Sequence, residues 1–183
     1  VGRDGPGHGR PGGGVIVAAP TFVWSDARVR EALGLPAPAH AVLPGAETSE
    51  APVFAGITTD SRAVEAGDLF VALVGERFDG HDFVDQAVAA GARGVVVSHP
   101  VPLPADVAVY PVADTLVALG ALARHRRRSL PARIVGVGGS AGKTSTKEFL
   151  RAALAAGLRT HATRGNLNNE IGVPLTLLAA PGD

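Results

Sequence analysis

The residues best suited to chemistry lie in one glycine-rich stretch, residues 135–148, which reads VGVGGSAGKTSTKE. An apolar run precedes it and a helix-forming segment follows it, which is the order that a phosphate-binding loop requires. Glycines let backbone N–H groups approach phosphate oxygens, and the following helix adds free N–H groups and the positive end of its dipole. Lys143 would reach the β- and γ-phosphates of a nucleoside triphosphate, and the Thr144 hydroxyl would coordinate Mg²⁺. The predicted nucleotide contacts are Gly139, Ser140, Ala141, Gly142, Lys143, Thr144 and Ser145, of which Lys143 and Thr144 are the predicted catalytic residues and Thr144 the predicted metal ligand.

The loop departs from the strict pattern G-x-x-x-x-G-K-[ST], because Val137 stands where the first glycine belongs. Gly136, Gly138 and Ala141 also satisfy the dinucleotide fingerprint G-x-G-x-x-A. That fingerprint requires an acidic residue about twenty positions later to hold a ribose, and residues 159–164 read RTHATR. An ordinary glycine-rich turn between a strand and a helix is the third interpretation. The triphosphate site is favoured because it alone gives the lysine and threonine that follow Gly142 a role.

The composition of the 183 residues excludes several classes of protein. Apolar residues make up 46% and the formal net charge is +0, which is typical of a globular protein and gives no electrostatic case for nucleic acid or anionic membrane. There is no cysteine, so disulfides, thiolate catalysis and cysteine zinc sites are excluded. No apolar run approaches the eighteen or so residues that span a bilayer. We expect a cytoplasmic protein that binds neither nucleic acid nor membrane.

Periodicity and capping residues predict three parts. These are a disordered lead at 1–20, an N-terminal α/β domain at 21–130, and the beginning of a mononucleotide-binding α/β domain with a mostly parallel sheet at 131–183. The predicted helices are 25–33, 81–90, 116–127, the segment from the glycine loop to 156, and 175–179. The predicted strands are 53–57, 69–73, 95–97, 107–112, 133–137 and 160–163. We interpret the basic run at 124–128 as complementing the dipole of its helix, with a phosphate site as the alternative.

Three blocks of sequence, taken together, resemble the Mur ligases. The first is TTDSR at 58–62 with EAGDLFVA at 65–72, the second is GERFDGHDF at 75–83, and the third joins the glycine loop to TRGNLNNEIGVPLTLL at 163–178. The blocks stand in the order of the family and cover roughly residues 55 to 178. The asparagine-rich third block is most similar to the type that adds D-alanyl-D-alanine, since the type that adds the third amino acid has a threonine-rich segment there.

The resemblance implies a three-domain, ATP- and Mg²⁺-dependent amide ligase of peptidoglycan precursor synthesis. Its substrates would be UDP-N-acetylmuramoyl-tripeptide and D-alanyl-D-alanine, joined through an acyl phosphate by a monomeric enzyme. The implied substrate-binding residues are Ser61, Arg62, Asp79, Gly80, His81, Asn166, Asn168 and Asn169. Two alternatives stay open: Asp60 to Arg62 forms an Asx-type turn only, and His81 makes only local hydrogen bonds near a helix N-terminus.

The chain departs from the family at Gly138, where a threonine is usual. It also stops before the family's acidic magnesium ligand, modified lysine and C-terminal domain, so we expect a fragment that binds ligands without turnover. Other hypotheses are a Mur ligase for a different amino substrate, a non-catalytic module that binds UDP-sugar or ATP, and an unrelated phosphate-loop kinase. The kinase is disfavoured because the first two blocks would then be accidental.

Overall fold

A computed structural model describes residues 22–37, 51–165 and 167–182 of the chain. The strands are β1 (Trp24–Ser25), β2 (Val53–Phe54), β3 (Ile57–Thr58), β4 (Leu69–Val71), β5 (Gly94–Val97) and β6 (Ala108–Pro111). The helices are α1 (Asp26–Leu33), α2 (Val84–Ala89), α3 (Thr115–Ser129), α4 (Lys143–Ala155) and α5 (Gly172–Leu178), and a 3₁₀ turn (Gly80–Phe83) precedes α2. The predicted lead at 1–20 and residues 38–50 between α1 and β2 lie outside the described residues.

The central element is a parallel sheet with strand order β3-β4-β5-β6. Its register pairs Ile57 with Leu69, Phe70 with Val95, and Val96 with Tyr110. A separate two-stranded antiparallel ribbon joins β1 to β2. The predicted α/β class with a parallel sheet is therefore confirmed. The sheet, however, lies in the first predicted domain, whereas the sequence had placed the mostly parallel sheet in the second.

Helices cover both faces of this sheet, because successive side chains of a strand point to opposite faces. Leu69 and Val71 contribute to a first core with residues of α1 and α3, whereas Phe70 contributes to a second core with residues of α2. The first core is Trp24, Val29, Phe54, Leu69, Val71, Val96, Tyr110, Ala118, Leu119 and Leu122, and the second is Phe70, Ala72, Val84, Ala87, Ala92, Val95, Val97 and Val107. The two cores hold the carboxyl ends of three neighbouring strands in place.

The helix ends follow from capping residues in the sequence. The Ser25 hydroxyl accepts a hydrogen bond from Arg28 N at the start of α1, and Gly34 ends that helix with φ 66°. The Asp114 carboxylate accepts hydrogen bonds from the backbone N–H groups of Leu116 and Val117 at the start of α3. Both predicted helices, 25–33 and 116–127, are confirmed to within two residues at either end.

A buried polar cluster fastens α1 to the last strand of the sheet. The Tyr110 hydroxyl donates to Asp26 Oδ1 at 2.7 Å, and Arg30 Nε donates to both carboxylate oxygens of Asp26 at 3.0 and 2.9 Å. Burial and then the Asp26 carboxylate raise the pKa of Tyr110, so its phenol stays protonated and keeps donating.

The end of α3 is joined to the chain beyond α5 by a buried arginine. Arg126 donates from Nη2 to the Ala180 carbonyl and from Nη1 to the Ser129 hydroxyl, and its guanidinium lies 4.2 Å from the centre of the Phe22 ring. Burial lowers the pKa of Arg126 from its usual value. Ile171, Leu175 and Leu178 also pack against the first core, so α5 completes the layer that α1 and α3 form.

Four predicted elements differ from the structure. The strand predicted at 133–137 and the strand predicted at 160–163 do not form, and within the described residues neither segment has a neighbouring strand to pair with. A parallel strand needs such neighbours for its backbone groups, so apolar residues alone do not make one. The strand predicted at 53–57 divides into β2 and β3, which belong to different sheets. The helix predicted at 81–90 begins as the 3₁₀ turn before α2.

Candidate functional site

Three loops follow the carboxyl ends of β3, β4 and β5, which is the edge where parallel α/β sheets bind ligands. The predicted residues Ser61 and Arg62 follow β3, and Asp79 and His81 follow β4. The loop after β5 begins at Ser98, whose backbone N–H donates a hydrogen bond to His81 Nε2. The topology therefore gathers the predicted substrate-binding residues of the first two blocks at one edge of the sheet.

The loop after β3 is an Asx turn that also orients an arginine. Asp60 Oδ1 accepts hydrogen bonds from the backbone N and the Nε of Arg62 at 3.0 and 2.9 Å, and Asp60 Oδ2 accepts from Arg62 Nη2 at 2.8 Å. These bonds hold the pKa of Asp60 at about 2. Ser61 is buried and its hydroxyl donates to Gln86 Oε1 of α2 at 3.0 Å. The Asx turn that the sequence left open is therefore present, and it presents an exposed guanidinium at the edge of the sheet.

The turn after β4 fixes a buried histidine by three hydrogen bonds. Asp79 Oδ1 accepts from His81 N at 2.9 Å and lies 2.5 Å from His81 Nδ1. His81 Nε2 accepts from Ser98 N at 2.9 Å, so the ring is the tautomer with its proton on Nδ1, donated to Asp79. The hydrogen bond from the His81 backbone is the main cause that lowers the pKa of Asp79 to about 2.

His99 is a member of this cluster that sequence reasoning missed. Its ring stacks on the His81 ring with centroids 3.8 Å apart, and its Nε2 lies 3.3 Å from Asp79 Oδ2. Its only sequence signal is its position just after β5. Asp79, His81 and His99 could be taken for a metal site, since their ligand atoms lie within 4.8 Å of one another. Both ring nitrogens of His81 are already engaged by Asp79 and Ser98, so hydrogen bonding accounts for the arrangement without an ion.

Gly80 lies against the backbone of the two residues that follow β4. Its N–H donates to the Leu73 carbonyl at 2.7 Å, and a β-carbon added at Gly80 would lie 2.7 Å from both Leu73 N and Leu73 O. The resemblance implied that this glycine belongs to the substrate site. In the structure, the close approach is made by the chain itself.

The glycine loop before α4 has the backbone shape of an anion-binding turn. Gly139 and Gly142 have backbone φ angles of 140° and 75°, which residues with a β-carbon rarely adopt. The first hydrogen bond of α4 runs from Thr146 N to Gly142 O, so the N–H groups of the three preceding residues are free for phosphate oxygens. Lys143 Nζ donates to the Gly139 carbonyl at 2.6 Å and so lies across the loop. This geometry suits a nucleoside polyphosphate, and the adjacent Thr144 hydroxyl is an oxygen donor of the kind that Mg²⁺ prefers.

A second lysine of α4, Lys147, connects this helix to the asparagine-rich segment. Its Nζ donates to the carbonyls of Thr163 and Gly165 at 2.7 and 3.2 Å and lies 3.0 Å from Glu148 Oε1. Arg151 and Lys147 together lower the pKa of Glu148, with Arg151 the larger cause. The side chain of Lys147 therefore reaches from α4 across to the neighbouring segment.

The asparagines of the third block have unequal positions in the structure. Asn169 Oδ1 accepts a hydrogen bond from Gly172 N at 2.8 Å, which caps the start of α5. Asn168 is exposed, and Asn166 lies outside the described residues. Asn169 thus makes a local hydrogen bond at the start of α5, and the ligand roles implied for the three asparagines stay predictions.

Known proteins match the chain along most of its length. Residues 53–127 match the Mur ligase family, catalytic domain, and residues 137–183 match the Mur ligase middle domain. The UDP-N-acetylmuramoyl-tripeptide–D-alanyl-D-alanine ligase of Bacillus subtilis is 49% identical over 133 residues, which are 72% of this chain and 29% of that protein. The ligase of the same name from Escherichia coli is 52% identical over 122 residues, which are 67% of this chain and 26% of that protein.

Solved structures give the same result. The D-alanyl-D-alanyl ligase of Acinetobacter baumannii superposes with a TM-score of 0.71 at 37% identity, covering 90% of this chain and 35% of that one. The MurF ligase of Thermotoga maritima, solved in complex with ADP, superposes with a TM-score of 0.61 at 37% identity, covering 67% of this chain and 28% of that one. The chain thus spans roughly a third or less of the length of these relatives. On these matches to consecutive family domains and to solved members, the chain belongs to the Mur ligase family.

Proposed function

We propose that the chain supplies the UDP-substrate site and the phosphate loop of an ATP-dependent amide ligase that joins D-alanyl-D-alanine to UDP-N-acetylmuramoyl-tripeptide. The observation that carries this proposal is the glycine loop, where two positive-φ glycines, free N–H groups and Lys143 meet at the start of α4. The relatives named above support it, since they are ligases of this specificity and one of them was solved with ADP.

The chemistry follows from the poor reactivity of a carboxylate toward amines. A terminal carboxylate oxygen of the tripeptide attacks the γ-phosphorus of ATP and releases ADP, which gives an acyl phosphate. The amine of D-alanyl-D-alanine then attacks the acyl carbon, and an amide bond forms as inorganic phosphate leaves. Lys143 and the free N–H groups of the loop bind and orient the phosphates, and they offset the charge that spreads over the transferred phosphoryl group. A bound Mg²⁺, held through Thr144, would add further charge neutralisation.

The edge formed by the loops after β3, β4 and β5 is the proposed site for the UDP part of the substrate. Arg62 is exposed there and is held by Asp60, so its remaining N–H donors can reach a diphosphate. Ser61 and His81 are buried behind that edge and contact protein groups, so their proposed role is to shape the site.

A nucleotide titration tests the phosphate loop. We would titrate a fluorescent ATP analogue with Mg²⁺ into the wild-type chain, the Lys143→Ala variant and the Arg151→Ala variant. Arg151→Ala is the matched control, because it removes one exposed positive charge from the same helix without touching the loop. Lys143→Ala should weaken binding by about tenfold or more, and Arg151→Ala should change it by less than about twofold. Equal effects of the two variants would refute the assignment of the loop.

The UDP site needs a separate measurement. Calorimetric titration of UDP-N-acetylmuramoyl-tripeptide should show saturable binding that weakens in Arg62→Ala, whereas ADP-glucose, which shares the diphosphate sugar but not the uracil, should bind far more weakly. A folded wild-type chain that binds the two ligands equally would contradict the proposed substrate.

A further inference from the structure

A groove between α1 and α3 has no part in either site described above. Both helices pack into the first core, whereas α2, which Ser61 contacts, packs into the second core on the opposite face of the sheet. The groove contains two adjoining cavities of about 570 and 130 Å³, and Ala121 lines both. The two cavities therefore adjoin at Ala121, and the sheet separates the helices that line them from the layer that contacts Ser61.

The two halves of the groove differ in character. Leu33, Leu35, Val112 and Val117 line the larger cavity, and Arg124, His125 and Arg128 line the smaller one together with Glu31. Val117, in the first turn of α3, is 69% exposed. Together with the half-buried Leu33, Leu35 and Val112 it forms a contiguous apolar surface, and such surfaces often mark contact sites.

The side chains along α3 are spaced for a helical partner. Val117, Ala121, Arg124 and Arg128 follow one another at intervals of four, three and four residues, which places them on one face of the helix. A stripe with this spacing is the seam along which a second helix packs. The face thus offers two apolar positions followed by two basic ones.

The charges in the groove do not cancel. Arg124 and Arg128 form no ion pair among the described residues, and Glu31 is the sole acidic residue lining their half. Asp114 lines the apolar half, but its Oδ1 accepts the two N–H groups that begin α3. The basic end therefore keeps an excess of positive charge, and a carboxylate is its natural complement.

We propose that this groove binds an acidic amphipathic helix of a partner protein. Apolar side chains of that helix pack on Val117 and Ala121, and its carboxylates bind Arg124 and Arg128. The apolar half of the groove lies between two helices. A flat bilayer surface does not reach into it, whereas the side chains of a docked helix do. A nucleic acid would leave the apolar half without a partner.

A binding experiment with a synthetic peptide tests the proposal. The probe is a fluorescein-labelled, three-turn helical peptide with leucines on one face in its first half and glutamates on the same face in its second half. A scrambled peptide of equal composition, with these residues spread around the helix, is the ligand control. Fluorescence anisotropy with the 183-residue chain should show binding to the patterned peptide at least about tenfold tighter than to the scrambled one.

Three variants assign the binding to the groove. R124E combined with R128E, and separately V117D, should each weaken binding of the patterned peptide by about tenfold or more. R127E is the matched control, because Arg127 is exposed on the same helix but lines neither cavity; it should change binding by less than about twofold. Because all of these positions are exposed, each variant should keep the fold, and far-UV circular dichroism checks this.

Three outcomes would overturn the proposal. The first is that the patterned peptide binds no more tightly than the scrambled one. The second is that R127E weakens binding as much as the double variant does, which would mean attraction to net charge alone. The third is that V117D leaves binding unchanged. A membrane surface would be the ligand instead if three results came together. The peptide does not bind, phosphatidylserine vesicles bind through Arg124 and Arg128, and V117D leaves vesicle binding unchanged.

Discussion

Replacing Gly80 by alanine tests whether this glycine serves the fold or the ligand. The new methyl group would lie 2.7 Å from Leu73 N and O and 2.9 Å from the Ala72 carbonyl carbon, all of which are backbone atoms that cannot rotate away. Relieving such contacts costs about 1–3 kcal/mol, and lengthening the 2.7 Å hydrogen bond from Gly80 N to Leu73 O costs about 1 kcal/mol more. The free energy of unfolding should therefore fall by about 2–4 kcal/mol.

The same turn supplies a control for this substitution. A β-carbon added at Gly75 would meet only the Phe78 carbonyl, at an ordinary 3.5 Å, so Gly75→Ala should change stability by less than about 0.5 kcal/mol. Urea denaturation followed by circular dichroism measures both variants, and for a chain of this size the loss at Gly80 corresponds to a fall in Tm of roughly 4–16 °C.

The result that would refute this reasoning is a Gly80→Ala variant as stable as the wild type. If such a variant had also lost affinity for UDP-N-acetylmuramoyl-tripeptide, the glycine would be required by the ligand, as the family resemblance implied. A stability loss that Gly75→Ala matches would point instead to a general sensitivity of the turn.

Three further predictions concern groups that the structure places in hydrogen-bonded clusters. Tyr110→Phe removes the buried donor to Asp26 and should lower the free energy of unfolding by about 1–2 kcal/mol in urea; an unchanged midpoint would mean that this bond contributes nothing net. The pKa of Asp79 is lowered to about 2 in the folded chain, so its stabilising effect is complete above its ordinary pKa near 3.8 and is lost as the pH falls through about 2. Asp79→Asn should thus lower stability by about 1 kcal/mol at pH 7, after allowance for the 35% exposure of the side chain, and should flatten the acid limb of stability against pH between 4 and 2; parallel acid limbs for both proteins would contradict this. Lys147→Ala breaks the connection to the carbonyls of Thr163 and Gly165 and should speed tryptic cleavage after Arg164 about tenfold, whereas Arg151→Ala should not; equal cleavage rates in both variants would rule out the connection.

The sequence was sufficient for features that depend on local chemistry. Ser25 and Asp114 start their helices through hydrogen bonds made within three residues, and Gly34 ends one through its own φ. The glycine loop before Lys143 was recognisable for the same reason, because its shape depends on residue types at adjacent positions. Such signals are independent of what the rest of the chain does.

Features that depend on distant residues could not be predicted in this way. The segment containing Val135 has the composition of a strand, but strand formation depends on neighbours that the segment itself cannot reveal. Lys147 and His99 belong to the candidate sites through partners 16 and 20 residues away, and only the fold brings those partners close. The substrate contact expected for Gly80 stays a prediction, and the surface that this glycine approaches in the structure is the backbone of Leu73.

The packing of α5 on the first core has a consequence for how the chain folds during synthesis. Leu175 and Leu178 cover apolar residues of α3 that the ribosome adds about fifty residues earlier. The Ala180 carbonyl, which accepts a hydrogen bond from Arg126, is also added about fifty residues after that arginine. A ribosome adds roughly 5–20 residues per second, so this side of α3 stays uncovered for several seconds after the sheet is complete. Over that interval the nascent chain exposes a helix face that other nascent chains or chaperones can bind, so the order of synthesis decides when this side of α3 is protected.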